Sequence, residues 1–108
     1  MKHITEKRCP EQAAGFKEIV EKMYQVHLDK NADYSPANIL GTGEIGIVVR
    51  MWDKMARLMN LLGFDIEVNF VGYREPKDAK NESVDDTFMD MAVYSIIAQL
   101  YRKGKWGK

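Results

Sequence analysis

The stretch from Glu44 to Leu62 carries an uninterrupted helical pattern of apolar residues, and it constrains the fold more than any other feature of the chain. Large apolar side chains recur every three or four positions, the spacing that places them on one side of an α-helix. They are Ile45, Val48, Val49, Trp52, Met55, Met59 and Leu62. Gly63 follows as a stop signal, because glycine readily ends a helix. This stretch predicts a long helix with a broad apolar stripe.

Two other stretches also predict long helices. Pro10 suits a first helical turn, and apolar residues keep helical spacing from there to about Asp29. Either Asn81 or Ser83 can cap a helix that runs to about Arg102, and with Ser83 as the cap Asp86 stands at the position of a capping box. Three long helices of this kind predict an all-α fold built as a small helical bundle.

Shorter segments flank and connect these helices. Residues 1–9 are predicted to form a polar arm, and residues 103–108 a basic tail that frays into solvent. Residues 66–71 alternate apolar and polar side chains, a pattern that suits a short β element, and a loop is the alternative. Because a single strand needs a partner, that element would pair within a small hairpin or across a subunit interface.

The length of the chain suits one domain covering residues 1–108. The second and third long helices are each apolar over more surface than one neighbouring helix can cover. We therefore expect the chain to assemble as a homodimer or a higher homo-oligomer.

The overall composition excludes several classes of function. Lys and Arg number 16, as do Asp and Glu, so no net charge attracts the chain to nucleic acid or an anionic membrane. Cys9 is the single cysteine, which excludes an internal disulfide and a cysteine zinc cluster. No apolar run approaches the ~18 residues of a membrane span, and the charged first residues are unlike a signal peptide. The expected location is the cytoplasm.

Acidic residues at the start of the third long helix form the first candidate site. In a helix Glu82, Asp86 and Asp90 fall on one face, at i, i+4 and i+8, and repel each other. A neutralising cation would stabilise them, either a divalent metal such as Mg²⁺ or an Arg or Lys of a neighbouring helix. The alternative interpretation is a capped helix start followed by a solvated acidic face.

A polar stripe on the second long helix forms the second candidate site. Its residues, spaced i, i+3, i+4 and i+7, are Arg50, Asp53, Lys54 and Arg57. Three cations so close together can clamp a phosphate, and arginine can do so through two parallel hydrogen bonds. The alternative is a set of salt bridges between this stripe and the acidic residues of the third helix.

The corner after the first long helix is the third candidate site. It combines the ammonium of Lys30, the carboxylate of Asp33 and the phenol of Tyr34. These groups can contact a base or a sugar. The alternative is a helix stop in which Asp33 makes a local turn bond.

Three motifs in these regions resemble a known family. They are Lys30-x-x-Asp33-Tyr34, Val49-Arg50-x-x-Asp53-Lys54-x-x-Arg57-Leu58-x-x-Leu61 and Asn81-Glu82-Ser83-x-x-Asp86-Thr87-x-x-Asp90-x-Ala92-x-Tyr94. Over roughly residues 20–102 the chain resembles nucleotide modification associated domain type 1, a phage and bacterial domain formerly of unknown function. The resemblance implies a phage-linked context of nucleotide metabolism more than a particular reaction.

A more distant resemblance is to the all-α NTP pyrophosphohydrolases of the MazG and dimeric dUTPase type. Those enzymes hold Mg²⁺ against a triphosphate with an ExxE motif on one helix and an ExxD motif on a later one. Here the later motif is altered to Asp86-x-x-x-Asp90 preceded by Glu82, and cations replace the paired glutamates of the earlier helix. Asp53 is the one candidate metal ligand left there. Fewer ligands and more cations would suit binding of phosphates without cleavage.

These observations lead to three hypotheses about function. The first is Mg²⁺-dependent nucleotide binding or pyrophosphate hydrolysis, in which Asp86 and Asp90 act as catalytic carboxylates and hold the metal with Glu82 and Asp53. In that hypothesis the phosphates are neutralised by Arg50, Lys54 and Arg57, and a metal-bound water attacks. The second is a non-catalytic binder, or sponge, of a nucleotide or a nucleotide-derived immune signal. The third is a structural helical module. The sequence leaves open whether the chain is an enzyme.

Overall fold

The computed structural model describes residues 3–67, 70–80 and 82–108. Within them the chain forms five helices and one hairpin, which confirms the predicted helical class. The elements are α1 Ile4–Arg8, α2 Pro10–Asn31, α3 Ala37–Leu40, α4 Gly43–Leu62, β1 Phe64–Glu67, β2 Phe70–Tyr73 and α5 Val84–Arg102. Over the described residues, every helix is too short or too polar to cross a membrane.

The chain divides into two compact units, Met1–Ser35 and Pro36–Lys108. The three long helices are present as α2, α4 and α5, with α2 in the first unit and the other two in the second. Their assembly into one bundle, and the treatment of residues 1–108 as a single domain, stay predictions.

The first unit contains α1 where the sequence predicted only a polar arm. His3 caps this helix by accepting a hydrogen bond from the backbone N–H of Thr5, and Glu6 reaches back to the backbone N–H of His3. This reciprocal arrangement is a capping box, which satisfies backbone donors at the helix start. The segment Ile4–Arg8 of the predicted arm is therefore helical, although none of its side chains is buried.

The second unit is built around the pairing of α4 with α5. Its buried core contains three isoleucines and one tryptophan, Ile39 of α3, Ile47 of α4, Ile97 of α5 and Trp106. The short helix α3 thus closes one end of the α4–α5 pair.

Trp106 corrects the prediction of a frayed C-terminal tail. After α5 the chain reverses at Gly104, whose φ of 68° is left-handed, and the N–H of Lys105 bonds back to the carbonyl of Leu100. This turn is a Schellman-type end. It returns Trp106 to the core, where the residue is 8% exposed and its indole N–H donates to the carbonyl of Pro36 at 3.1 Å. Burying a large aromatic ring outweighs the tendency of a charged terminus to fray.

The predicted β element is an antiparallel hairpin, paired within the chain. Its register places Phe64 opposite Tyr73 and residue 67 opposite residue 70. The part of the alternating pattern at residues 68 and 69 lies outside the described residues. Gly63 ends α4 with a left-handed φ of 92°, and a Cβ atom there would collide with the carbonyl oxygen of Arg74. The hairpin therefore needs a glycine at this point.

Candidate functional site

The side chain of Lys54 joins α4 to the acidic residues at the start of α5. Its ammonium nitrogen lies 3.0 Å from a carboxylate oxygen of Asp90 and 3.2 Å from one of Glu82. The three side chains are partly buried, with 18% to 28% of their surface exposed. The neutralising cation that the acidic pattern required is, in this structure, a lysine of the neighbouring helix.

The start of α5 explains which acids reach Lys54. Ser83 has an extended backbone and accepts a hydrogen bond from the N–H of Asp86 at 3.0 Å, so of the two predicted caps it is Ser83 that caps the helix. The helix begins at Val84, and Glu82 therefore precedes it. The prediction of three acids on one helical face is wrong: Glu82 reaches Lys54 from the preceding loop, and the side chain of Asp86 is exposed.

Arg57 and Thr87 make a second connection between the same segments. The Nε–H of Arg57 donates to the Thr87 hydroxyl at 3.2 Å, and its Nη2 donates to the backbone carbonyl of Glu82. Thr87 is fully buried, and its hydroxyl also lies within donating distance of the Ser83 carbonyl at 3.0 Å. The sequence hypotheses gave Thr87 no role, although it stands in the third motif. Its position between two acids, one turn after the cap, was the available signal.

Arg50 is directed to a different part of the second unit. Its Nη2 donates to the backbone carbonyl of Asn38 on α3 at 2.7 Å. Both the Arg50 Nη1 and the Asn38 Oδ1 are buried, and neither has a hydrogen-bond partner among the described residues. Asp53 is exposed. The predicted four-residue stripe therefore divides, and only Lys54 and Arg57 face the acidic segment.

The surroundings of Lys54 favour its charged form. Burial lowers the pKa of its ammonium, but the hydrogen bonds to Asp90 and Glu82 and their negative charges raise it more. The resulting pKa lies above the ordinary lysine value of 10.5. Lys54 is thus a fixed positive charge at neutral pH and is unsuited to act as a general base.

The third candidate site belongs to the first unit. Lys30 lies in the last turn of α2, and the backbone N–H of Asp33 donates to its carbonyl at 3.2 Å. Tyr34 follows and is exposed. This geometry is that of a helix end, the alternative considered above. A ligand-binding role for Lys30, Asp33 and Tyr34 stays a prediction.

The first unit also has a shallow groove of about 340 Å³ beside α1 and α2. The residues that line it are Glu6, Pro10, Ala13, Ala14 and Lys17. None of them belongs to the predicted sites.

The carboxylates proposed as magnesium ligands do not form one cluster. Within the described ranges, no three His, Cys, Asp or Glu residues lie together as a metal site would require. Glu82 and Asp90 share the ammonium of Lys54, whereas Asp53 and Asp86 are exposed. Mg²⁺ requires several oxygen ligands in near-octahedral geometry. The residues in this arrangement do not fit a magnesium site.

No family model, curated protein or solved structure was found to match the chain. The resemblance to the nucleotide modification domain therefore depends on its three motifs alone. Inference about function has to start from the contacts described above.

Proposed function

We propose that the chain is a non-catalytic helical binding module. Its charged residues hold α4 against α5, and the resulting rigid pair presents its remaining surface to a partner. The observation that carries this proposal is the position of Lys54, whose ammonium bridges Glu82 and Asp90. Charges that neutralise one another across two helices are already satisfied without a ligand.

The same contacts weigh against the hydrolase hypothesis. A metal held by Glu82 and Asp90 would have to displace Lys54, leaving an ammonium without its two acidic partners. Separating a partly buried ion pair costs free energy, because the remaining charge loses its compensation. Arg57 would likewise have to leave Thr87 and the Glu82 carbonyl to bind a phosphate.

Nucleotide binding is the second candidate, and the partial exposure of the Lys54 network supports it. Between 18% and 28% of the surface of these three side chains is open to solvent. A phosphate group approaching from solvent would compete with Glu82 and Asp90 for the ammonium. This candidate therefore predicts binding that weakens when Lys54 is removed.

A thermal-shift screen with nucleoside triphosphates and deoxynucleoside triphosphates, each with and without Mg²⁺, separates the candidates. A ligand that binds only the folded state must raise the apparent melting temperature. The helical-module proposal expects no shift with any of these compounds and no product after incubation. A shift that disappears in Lys54→Met but persists in Lys103→Met, which removes an exposed lysine, would instead establish nucleotide binding. Pyrophosphate release that requires Mg²⁺ would establish the hydrolase.

A further inference from the structure

Helix α4 is apolar on two sides. One side carries the buried residues Ile47, Leu58 and Leu61. At 100° per residue, a second side centred about 140° around the helix from the first is formed by large apolar residues that are 40% to 75% exposed. These residues, here called the outer face, are Ile45, Val48, Val49, Trp52 and Met55. A soluble helix that is apolar on both sides usually has a neighbour on both sides.

The spacing of apolar residues along the outer face is typical of a helix that packs against another helix. Positions 45, 48, 52, 55, 59 and 62 alternate steps of three and four, and each carries a large apolar side chain. This is the a and d repeat of helices that pack knobs into holes. Ala56 is the remaining residue within the stripe, so no charged side chain interrupts it.

The exposed apolar area is large for a chain of this size. From the exposed fractions, the outer face amounts to roughly 500 Å², near the upper end for the largest patch on a typical monomer. Two such faces packed together would bury roughly 1,000 Å² in total, about the size at which a specific interface becomes stable.

We propose, building on the helical-module function, that the partner of the outer face is a second copy of this chain, joined by a two-fold axis. A two-fold interface uses the same patch on both chains, so the patch must be complementary to itself. An apolar stripe without charges meets that condition, and the zero net charge means that two copies do not repel each other. Trp52 lies midway along Gly43–Leu62 and is 61% exposed, so it becomes the central anchor of the interface.

The test is the mass of the full chain in solution, measured by light scattering and sedimentation at roughly 1–100 µM, where dimers of modest affinity assemble. We expect twice the chain mass of 12.4 kDa. Trp52→Glu places a charge at the centre of the outer face and is expected to give the single-chain mass. Phe88→Glu is the matched control, because Phe88 is 53% exposed but lies on α5. It is expected to leave the dimer intact.

Circular dichroism verifies that each variant is folded. If Trp52→Glu is unfolded, the mass of Val48→Glu, which places a charge on the same face, is used instead. A wild-type chain that stays monomeric throughout this range overturns the inference, whatever then covers the outer face. So does a dimer that survives both outer-face substitutions. Failure here is distinguishable from failure of the proposed function, because nucleotide binding is read from melting temperatures and assembly from mass.

Discussion

The ammonium of Lys54 and the carboxylate of Asp90 lie 3.0 Å apart and connect the middle of α4 to the second turn of α5. Lys54 also reaches Glu82 in the loop before α5. One side chain of α4 thus fixes both the helix and its entry segment. The pairing makes the acidic segment part of the scaffold, and it leads to measurable expectations about stability.

Removing Lys54 should destabilise the chain, because the ammonium that bridges Glu82 and Asp90 is lost. Because the three side chains are roughly one-fifth to one-quarter exposed, we expect Lys54→Met to cost about 1–2 kcal/mol of unfolding free energy. The double variant Lys54→Met with Asp90→Asn should cost less than the sum of the single changes, with a coupling of about 0.5–1.5 kcal/mol. Urea unfolding measures both quantities. The control Asp53→Asn, on the exposed side of α4, should change the unfolding free energy by no more than about 0.5 kcal/mol. If the effects of Lys54→Met and Asp90→Asn simply added in the double variant, that result would contradict the ion pair.

The contribution of Lys54 should disappear at high pH. Its pKa is raised in the folded state, so the stabilisation is complete below the unfolded lysine pKa and is lost as pH rises through the folded one. The stability difference between the wild type and Lys54→Met should therefore be constant from about pH 7 to pH 9.5 and shrink above about pH 10.5. Urea unfolding of both proteins at several pH values measures this difference. A stability difference that grew with pH would contradict stabilisation by the charged form of Lys54.

The hydroxyl of Thr87 should contribute more to stability than its size suggests. Thr87→Val keeps the shape of the side chain but removes the acceptor for the Nε–H of Arg57. Arg57 is partly buried, and the loss of this hydrogen bond from its charged group is expected to cost about 1–2 kcal/mol. Ser95→Ala is the matched control on the same helix, because the Ser95 hydroxyl donates to the Met91 carbonyl one turn earlier, within α5 itself. Equal effects of the two substitutions in chemical unfolding would argue against the interhelical role of Thr87.

The last six residues should be needed for the second unit to fold. Trp106→Ala empties a position in the core and is expected to cost about 3–5 kcal/mol. Removal of residues 103–108 should have at least the same effect, whereas a frayed tail would be dispensable. Lys108→Ala, an exposed change in the same segment, serves as the control. Thermal unfolding followed by circular dichroism separates these outcomes, and an unchanged melting temperature after truncation would contradict the burial of Trp106.

Much of the secondary structure could be predicted because its causes are local. Ser83 caps α5 through its own neighbouring backbone, and Gly63 ends α4 by adopting a left-handed conformation. The helical spacing of apolar residues in Glu44–Leu62 likewise predicts a helix, and this prediction needs no information about the segments that pack against it. Helix α1, Ile4–Arg8, was not predicted, although its capping box between His3 and Glu6 is also a local signal.

The candidate site was predictable as a set of residues and not as an arrangement. The sequence identified the acids of the third helix and the cations of the second, including the alternative that they pair. It did not show that Arg50 would turn to Asn38, that Asp86 would remain exposed or that Thr87 would bind Arg57. Each outcome depends on which helix lies opposite a given side chain.

The sequence by itself determined the helical class, the principal helix boundaries and the charged groups available to the chain. The tertiary structure decided that Lys54 neutralises Glu82 and Asp90, and that Trp106 joins the core. The physical reason is the range of the interactions. Caps, stops and apolar periodicity act over a few neighbouring residues, whereas ion pairs and core contacts form between segments that only folding brings together.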